Sequence, residues 1–176
     1  MKFLPVILLM FVSACSIQAP PYNPSIENLQ TLKRSSIEPI NVGGFSDSKK
    51  VNNLSIRGSS YNSPFEKSFG KYFQAALVSE LKLAKLWDGV SDTVIEGDLL
   101  ENEVSGSGEA NITVLFKVTR KGKTVFEKKL SAEHEWESSF VGAIAIPAAA
   151  NNYPKVISKV IGKLFNDRDF ISVTKK

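Results

Sequence analysis

Between Asn111 and Trp136 the residue pattern leaves the backbone few choices. Ile112, Val114, Phe116 and Val118 fall on alternate positions, which sets all four on one face of a strand. Lys121-Gly122 follows, and glycine supplies the positive φ that a tight hairpin turn needs. The chain returns through TVFEKKLSAEHEW. Phe126, Leu130, Ala132, His134 and Trp136 share one face there, and Glu127, Lys129, Glu133 and Glu135 take the other. A hairpin with one apolar face must cover that face with another layer.

The covering layer is legible on either side. Ser63-Pro64-Phe65-Glu66 reads as a capping box with Ser63 as N-cap, Pro64 in the first helical position and Glu66 reaching back. Phe65, Phe69, Phe73, Leu77 and Leu81 then recur every fourth residue, joined by Tyr72, Ala76, Ala84 and Trp87, until Asp88-Gly89. Helical spacing makes this aromatic stripe a core face rather than a lipid site. A second helix is expected from about Tyr153 to Phe165, and TVIEGDLLENEV, closed by the flexible turn GSGEA, reads as a further strand. IEPINVGGF is a short strand with Gly43-Gly44 as a bend or bulge, and VNNLSIRG is a second. The predicted order is β-β-α-β-β-β-α: an α+β fold, an antiparallel or mixed sheet with two helices packed on one face.

The chain opens MKFLPVILLMFVSACS, a lysine followed by an apolar run of signal-peptide length that is too short to span a bilayer. Val12-Ser13-Ala14-Cys15 resembles a bacterial lipobox. That resemblance implies cleavage before Cys15, acylation of its thiol and new amino group, and, with Ser16 rather than Asp next, the outer membrane. Cys15 is the only cysteine in 176 residues, so lipidation would leave no disulfide. One acyl chain binds marginally and two hold firmly. Residues 16–36, rich in Pro, Ser, Asn and Gln, read as an extended tether. The expected organisation is signal peptide 1–14, lipidated Cys15 with flexible tether 15–36, and one periplasmic domain 37–176.

Composition narrows function by exclusion. Twenty-two Lys and Arg stand against 18 Asp and Glu, a formal +4 that loses one with Lys2 in the leader, and no basic block occurs. Nucleic acid is therefore not an expected partner. With one histidine and one cysteine, no His/Cys metal set can form, and no metal or cofactor is expected. Gly122-Lys123-Thr124 mimics the end of a P-loop but has Lys117 where the leading glycine belongs. The histidine, His134, points away from Glu133 and Glu135, so neither can orient it as a catalytic relay requires. It is expected to be a half-buried strand residue bonded to backbone or a helix side chain.

After that strand comes FVGAIAIPAAA, which Gly142 and Pro147 should keep from forming one regular helix. Two readings stay open: a buried strand-to-helix connection, or an exposed apolar patch that docks a partner or the bilayer. Phe140, Ile144 and Ile146 are its candidate contact residues, with Phe140 expected against the core and Ile144 at the surface.

The stretches SIRGSSYNSPFEKSFGKYFQAALVSELKLAKLWD, IEGDLLENEVSGSGEANITVLFKVTRKGKTVFEKKL and HEWESSFVGAIAIPAAANNYPKVISKVIGKLFNDRDF resemble a family of uncharacterised proteobacterial lipoproteins. More distantly the element order is similar to YajG-like lipoproteins, the polysaccharide-export lipoprotein PelC and the amino-terminal domain of TolB. The resemblance implies a non-enzymatic envelope module and supplies no catalytic residues. The expectation is a lipid-anchored outer-membrane protein facing the periplasm, an assembly or scaffold accessory with an envelope protein partner or self-association. The alternative is a binder of lipid, glycan or peptidoglycan.

Overall fold

A computed structural model describes residues 16–48 and 51–175; the expected signal peptide, 1–14, and Cys15 lie outside them. In chain order, β1 (Ser16–Gln18) and α1 (Ile26–Ser35) precede β2 (Asn41–Asp47) and the hairpin of β3 (Leu54–Ile56) and β4 (Ser59–Asn62). Helix α2 (Phe69–Ala84) leads to three long strands, β5 (Thr93–Ser105), β6 (Glu109–Arg120) and β7 (Lys123–Glu135). Helices α3 (Gly142–Phe165) and α4 (Arg168–Thr174) follow.

The class is α+β, as the residue pattern predicts. The larger sheet runs β2-β5-β6-β7, with β2 parallel to β5 and the rest antiparallel. Ile112, Val114, Phe116 and Val118 of β6 are all fully buried. Val118 lies opposite Phe126 and Ile112 opposite Ala132, the register that alternation requires. Lys121 (φ 50°) and Gly122 (φ 76°) make the turn between them. The strand register slips between Val42 and Phe45, where Gly43-Gly44 forms the expected bulge. Helix α2 covers β2 and α3 covers β6 and β7. A second sheet, β1-β4-β3, packs through β3 onto β5.

Three expectations need correction, each because a tertiary partner outweighs a local signal. Helix α2 starts at Phe69, not Pro64. Its N-terminal N–H groups find better acceptors in Asp47 and Asn52: Gly70 N–H donates to Asp47 Oδ1 at 2.6 Å and Phe69 N–H to Asn52 Oδ1 at 3.0 Å. Ser68, not Ser63, is the N-cap, taking the N–H of Lys71 at 3.1 Å and donating to Asp47 Oδ2 at 2.5 Å. A carboxylate beside a helix N-terminus also complements the dipole. Glu66 is left exposed, paired only with Lys71.

Residues 16–36 are no tether. β1 pairs with β4 in parallel, Ser16 opposite Ser60. α1 lies in the groove between α2 and α3, with Leu32 buried and Ser25 as N-cap. A ten-residue helix with few apolar positions is marginal by itself, so its signal is weak in the sequence. Docking stabilises it. Its anchor is Glu80, a fully buried carboxyl on α2. Glu80 Oε1 accepts from Tyr22 Oη (2.5 Å), Asn28 Nδ2 (2.9 Å) and the N–H of Ser25 (3.1 Å). Burial first, then the charge of Glu80, raises the Tyr22 pKa far above a phenol's usual value, so its proton stays in this bond. Asn28 also donates to the carbonyl of Ser158 on α3 at 3.1 Å, and a Cβ at Gly162 would stand 2.6 Å from Asn28 Oδ1. A side chain there would push the Asn28 amide from its place between the two helices.

The third correction concerns residues 140–152. One helix runs from Gly142 to Phe165 through both Pro147 and Pro154. Proline removes the N–H that would bond four residues back. For Pro154 the orphaned carbonyl is Ala150, and the buried Tyr61 hydroxyl donates to it at 3.3 Å. Pro147 falls in the second turn and removes the N–H that would bond the Ala143 carbonyl. Tyr61, Phe69 and Tyr153 stack around this point with ring centroids 5.4–5.8 Å apart. Tyr153 donates to Asn102 Oδ1 at 2.8 Å. From Phe69 to Leu81 the aromatic stripe is closed core, as its spacing predicts, whereas Phe65 and Trp87 lie outside the helix and stay exposed.

Glu80→Ala should cost about 2–4 kcal/mol, because three donors lose their buried acceptor. In urea titration with limited trypsin digestion, the midpoint should fall and cleavage at Lys33 or Arg34 should accelerate. An unchanged midpoint with full protection would show that α1 is held by its apolar contacts alone.

Candidate functional site

Three turns converge at one end of the long sheet: residues 57–58, 106–108 and 136–141. Arg57 (φ 51°) and Gly58 (φ 81°) form the β3–β4 turn, which aims the Arg57 guanidinium at the other two. Its Nη2 donates to the carbonyls of Ser139 (2.7 Å) and Gly106 (3.2 Å), and its Nη1 to that of Phe140 (3.1 Å). A planar fork of fixed donors suits several carbonyls at once. Ser138 Oγ adds a bond to the Gly106 carbonyl at 2.6 Å, and Trp136 N–H one to that of Gly108 at 2.8 Å.

The clamped segment presents apolar side chains to solvent. Phe140 is 100% exposed, Val141 55% and Ile144 59%. Phe140 is therefore not packed on the core, contrary to expectation. Its carbonyl is held by Arg57, and the core face of α3 begins only at Ala145. Ile144 is at the surface as anticipated, whereas Ile146 is partly buried against the core. The structure joins Phe140 and Ile144 in one patch and takes Ile146 out of it. Val141 of the same apolar segment joins them, and the Arg57 clamp escapes the sequence reading, although an Arg-Gly pair between two short strand-like runs was the available signal.

His134 lies beside this end. Its Nε2 is 3.2 Å from Asn152 Oδ1 on α3, and its ring centroid is 5.8 Å from that of Trp136. Burial lowers the His134 pKa; the Asn152 bond opposes this, and Lys159 and Lys155 reinforce it. The neutral ring donates from Nε2, since Asn152 Nδ2 is itself spent on the Ala148 carbonyl at 2.9 Å. The partner is an amide on a helix, and no carboxylate among the described residues bonds the ring nitrogen. Glu133 and Glu135 turn to the other face. With Glu103, Glu109, Asn111 and His134 itself they border an open hollow of about 440 Å³. No group of three or more His, Cys, Asp or Glu among the described residues could hold a metal ion. No helix among them is long and apolar enough to cross a membrane.

No family model matches the chain, and no curated protein does. Solved structures do. Protein XCC0632 from Xanthomonas campestris, of the family model DUF330, is 14% identical, with TM-score 0.58 over 90% of this chain and 94% of its own. An uncharacterised protein is 8% identical, with TM-score 0.52 over 85% and 99%. A protein of Caulobacter crescentus CB15, described provisionally as a lipoprotein, is 9% identical, with TM-score 0.49 over 84% and 97%. At such identities the likeness is one of fold.

Because Phe140 and Ile144 contact so little, Phe140→Asp and Ile144→Asp should each change the stability of the soluble domain by no more than about 0.5 kcal/mol. Ile157→Asp, at a fully buried position, should cost several. Thermal melting of the three variants checks this, and unfolding by either surface change would mean the patch is packed.

A lowered pKa means that the unfolded chain takes up a proton before the folded one does. The His134 contribution is intact above its ordinary value of about 6.5 and is lost as pH falls below it. His134→Gln should remove that part of the acid dependence while leaving neutral-pH stability little changed. Urea midpoints of both proteins across that pH range are the measurement; parallel curves would show that the histidine is not responsible.

Proposed function

We propose that the chain is a lipid-anchored protein of the cell envelope, on the periplasmic face of the outer membrane, acting as a non-enzymatic assembly or scaffold accessory. One observation carries this reading: β1 begins at Ser16, one peptide bond beyond Cys15. If Cys15 is acylated as its lipobox implies, the domain has no slack. An enzyme or carrier that meets diffusing substrates gains from reach, whereas a scaffold gains from a fixed pose on its membrane. The amide partner of His134 fits the same reading, since a general base needs an orienting group that sharpens its basicity. The expected kinship with YajG-like lipoproteins, PelC and the TolB amino-terminal domain belongs to this proposal.

A second reading draws on the hollow bordered by Glu103, Glu109, Asn111 and Glu133. Carboxylates and an amide suit the hydroxyls of a glycan better than a lipid tail. Affinity purification of the lipidated protein from cross-linked envelopes separates the two. A defined protein complex supports assembly, and glycan recovered without protein supports the second reading.

Cys15→Ser should abolish palmitate labelling and move the protein to the soluble fraction with its melting temperature unchanged. Label retained by that variant would overturn the anchoring reading.

A further inference from the structure

The place where the chain enters the fold and the place where it exposes apolar side chains are the same end of the molecule. β1 runs parallel to β4, Ser16 opposite Ser60, and β4 starts directly after the Arg57-Gly58 turn. Arg57 in turn holds the carbonyls of Ser139 and Phe140. At about 4.8 Å between strands and 3.3 Å per residue along them, Ser16 and Phe140 are separated by on the order of 20 Å. Cys15 adds one more residue, about 3.8 Å.

Resting on the lipoprotein reading, we infer that Phe140, Val141 and Ile144 form a second, non-covalent membrane contact: they dock in the bilayer that holds the acyl chains of Cys15. The acyl chains fix one point of the domain at the lipid surface, and the short connection brings the patch to that surface with it. A domain pinned at one point can still pivot. A rigid apolar patch beside the pin stops the pivot and gives the domain one orientation, with the opposite end of the β5–β7 sheet pointing into the periplasm. The side chains fit this occupant better than a charged one. Phe140, Val141 and Ile144 carry no charge, so the contact is driven by apolar burial, and the acidic border of the nearby hollow (Glu103, Glu109, Glu133, Glu135) suits a zwitterionic lipid surface rather than an anionic one. Arg57 keeps the segment stiff by holding its carbonyls, so little conformational freedom is lost on insertion.

Once Cys15 is acylated the chain has no other thiol, so Phe140→Cys and Ile144→Cys each place one environment-sensitive fluorophore at a known site. Val90→Cys is the control: it is 89% exposed and precedes β5, whose 13 residues put about 40 Å between it and the patch. The full-length lipidated variants are reconstituted in phosphatidylcholine vesicles carrying nitroxide-labelled acyl chains. The probes at 140 and 144 should shift to shorter wavelength and be quenched, and the probe at 90 should do neither. If the protein floats with the vesicles while the probes at 140 and 144 remain in water, docking is overturned and anchoring stands. If it does not float, the anchoring reading fails and the docking falls with it. Probes shielded only when native envelope membranes replace the vesicles would assign the patch to a protein and overturn the bilayer contact.

Discussion

The buried carboxyl of Glu80 is the interaction on which the arrangement of this molecule turns. Burying a carboxyl is costly unless donors surround it, and here one oxygen gathers a phenol, an amide and a backbone N–H from residues 22–28. All three belong to a stretch with too few apolar residues to dock by hydrophobic burial alone. The node converts that stretch from a free lead into part of the fold. Tyr72, which donates to the carbonyl of Pro20 at 2.7 Å, extends the same seam toward β1. With residues 16–36 folded down, the first strand begins at Ser16, directly after Cys15 in the chain.

A second constraint holds the two sheets to the helices. Pro154 would break α3 if the Ala150 carbonyl had no donor, and Tyr61 on β4 provides one. The same tyrosine packs against Tyr153 and Phe69, so a single side chain ties the small sheet to both main helices. Because β4 is fixed there, the Arg57 turn that precedes it is fixed as well. Its guanidinium can then reach the turns at 106–108 and 136–141. Each restraint is local, yet together they stiffen the end that carries the exposed Phe140.

That stiffness bears on why an apolar patch persists in water. A mobile segment with Phe140 and Ile144 would fold back onto the nearest apolar surface. Here the backbone is committed to Arg57 on one side and to the first turn of α3 on the other, so the side chains cannot retreat. Exposed apolar groups gathered into one patch mark a contact surface.

The residues alone determined the long hairpin of β6 and β7, the strand before it, the Gly43-Gly44 bulge, the face of His134 and the core role of the Phe69–Leu81 stripe. Each depends on a period of two or nearly four, or on a glycine in a turn, and such patterns act between residues that are neighbours along the chain. Only the tertiary structure decided where α2 begins, that α1 exists, that α3 passes through two prolines and that Phe140 faces solvent. Those outcomes rest on Asp47 and Asn52, Glu80, Tyr61 and Arg57, partners 17 to 89 residues away in the chain. A cap, a buried carboxyl or a donor for an orphaned carbonyl acts through a distance of about 3 Å in space. No periodicity records which distant side chain will supply it.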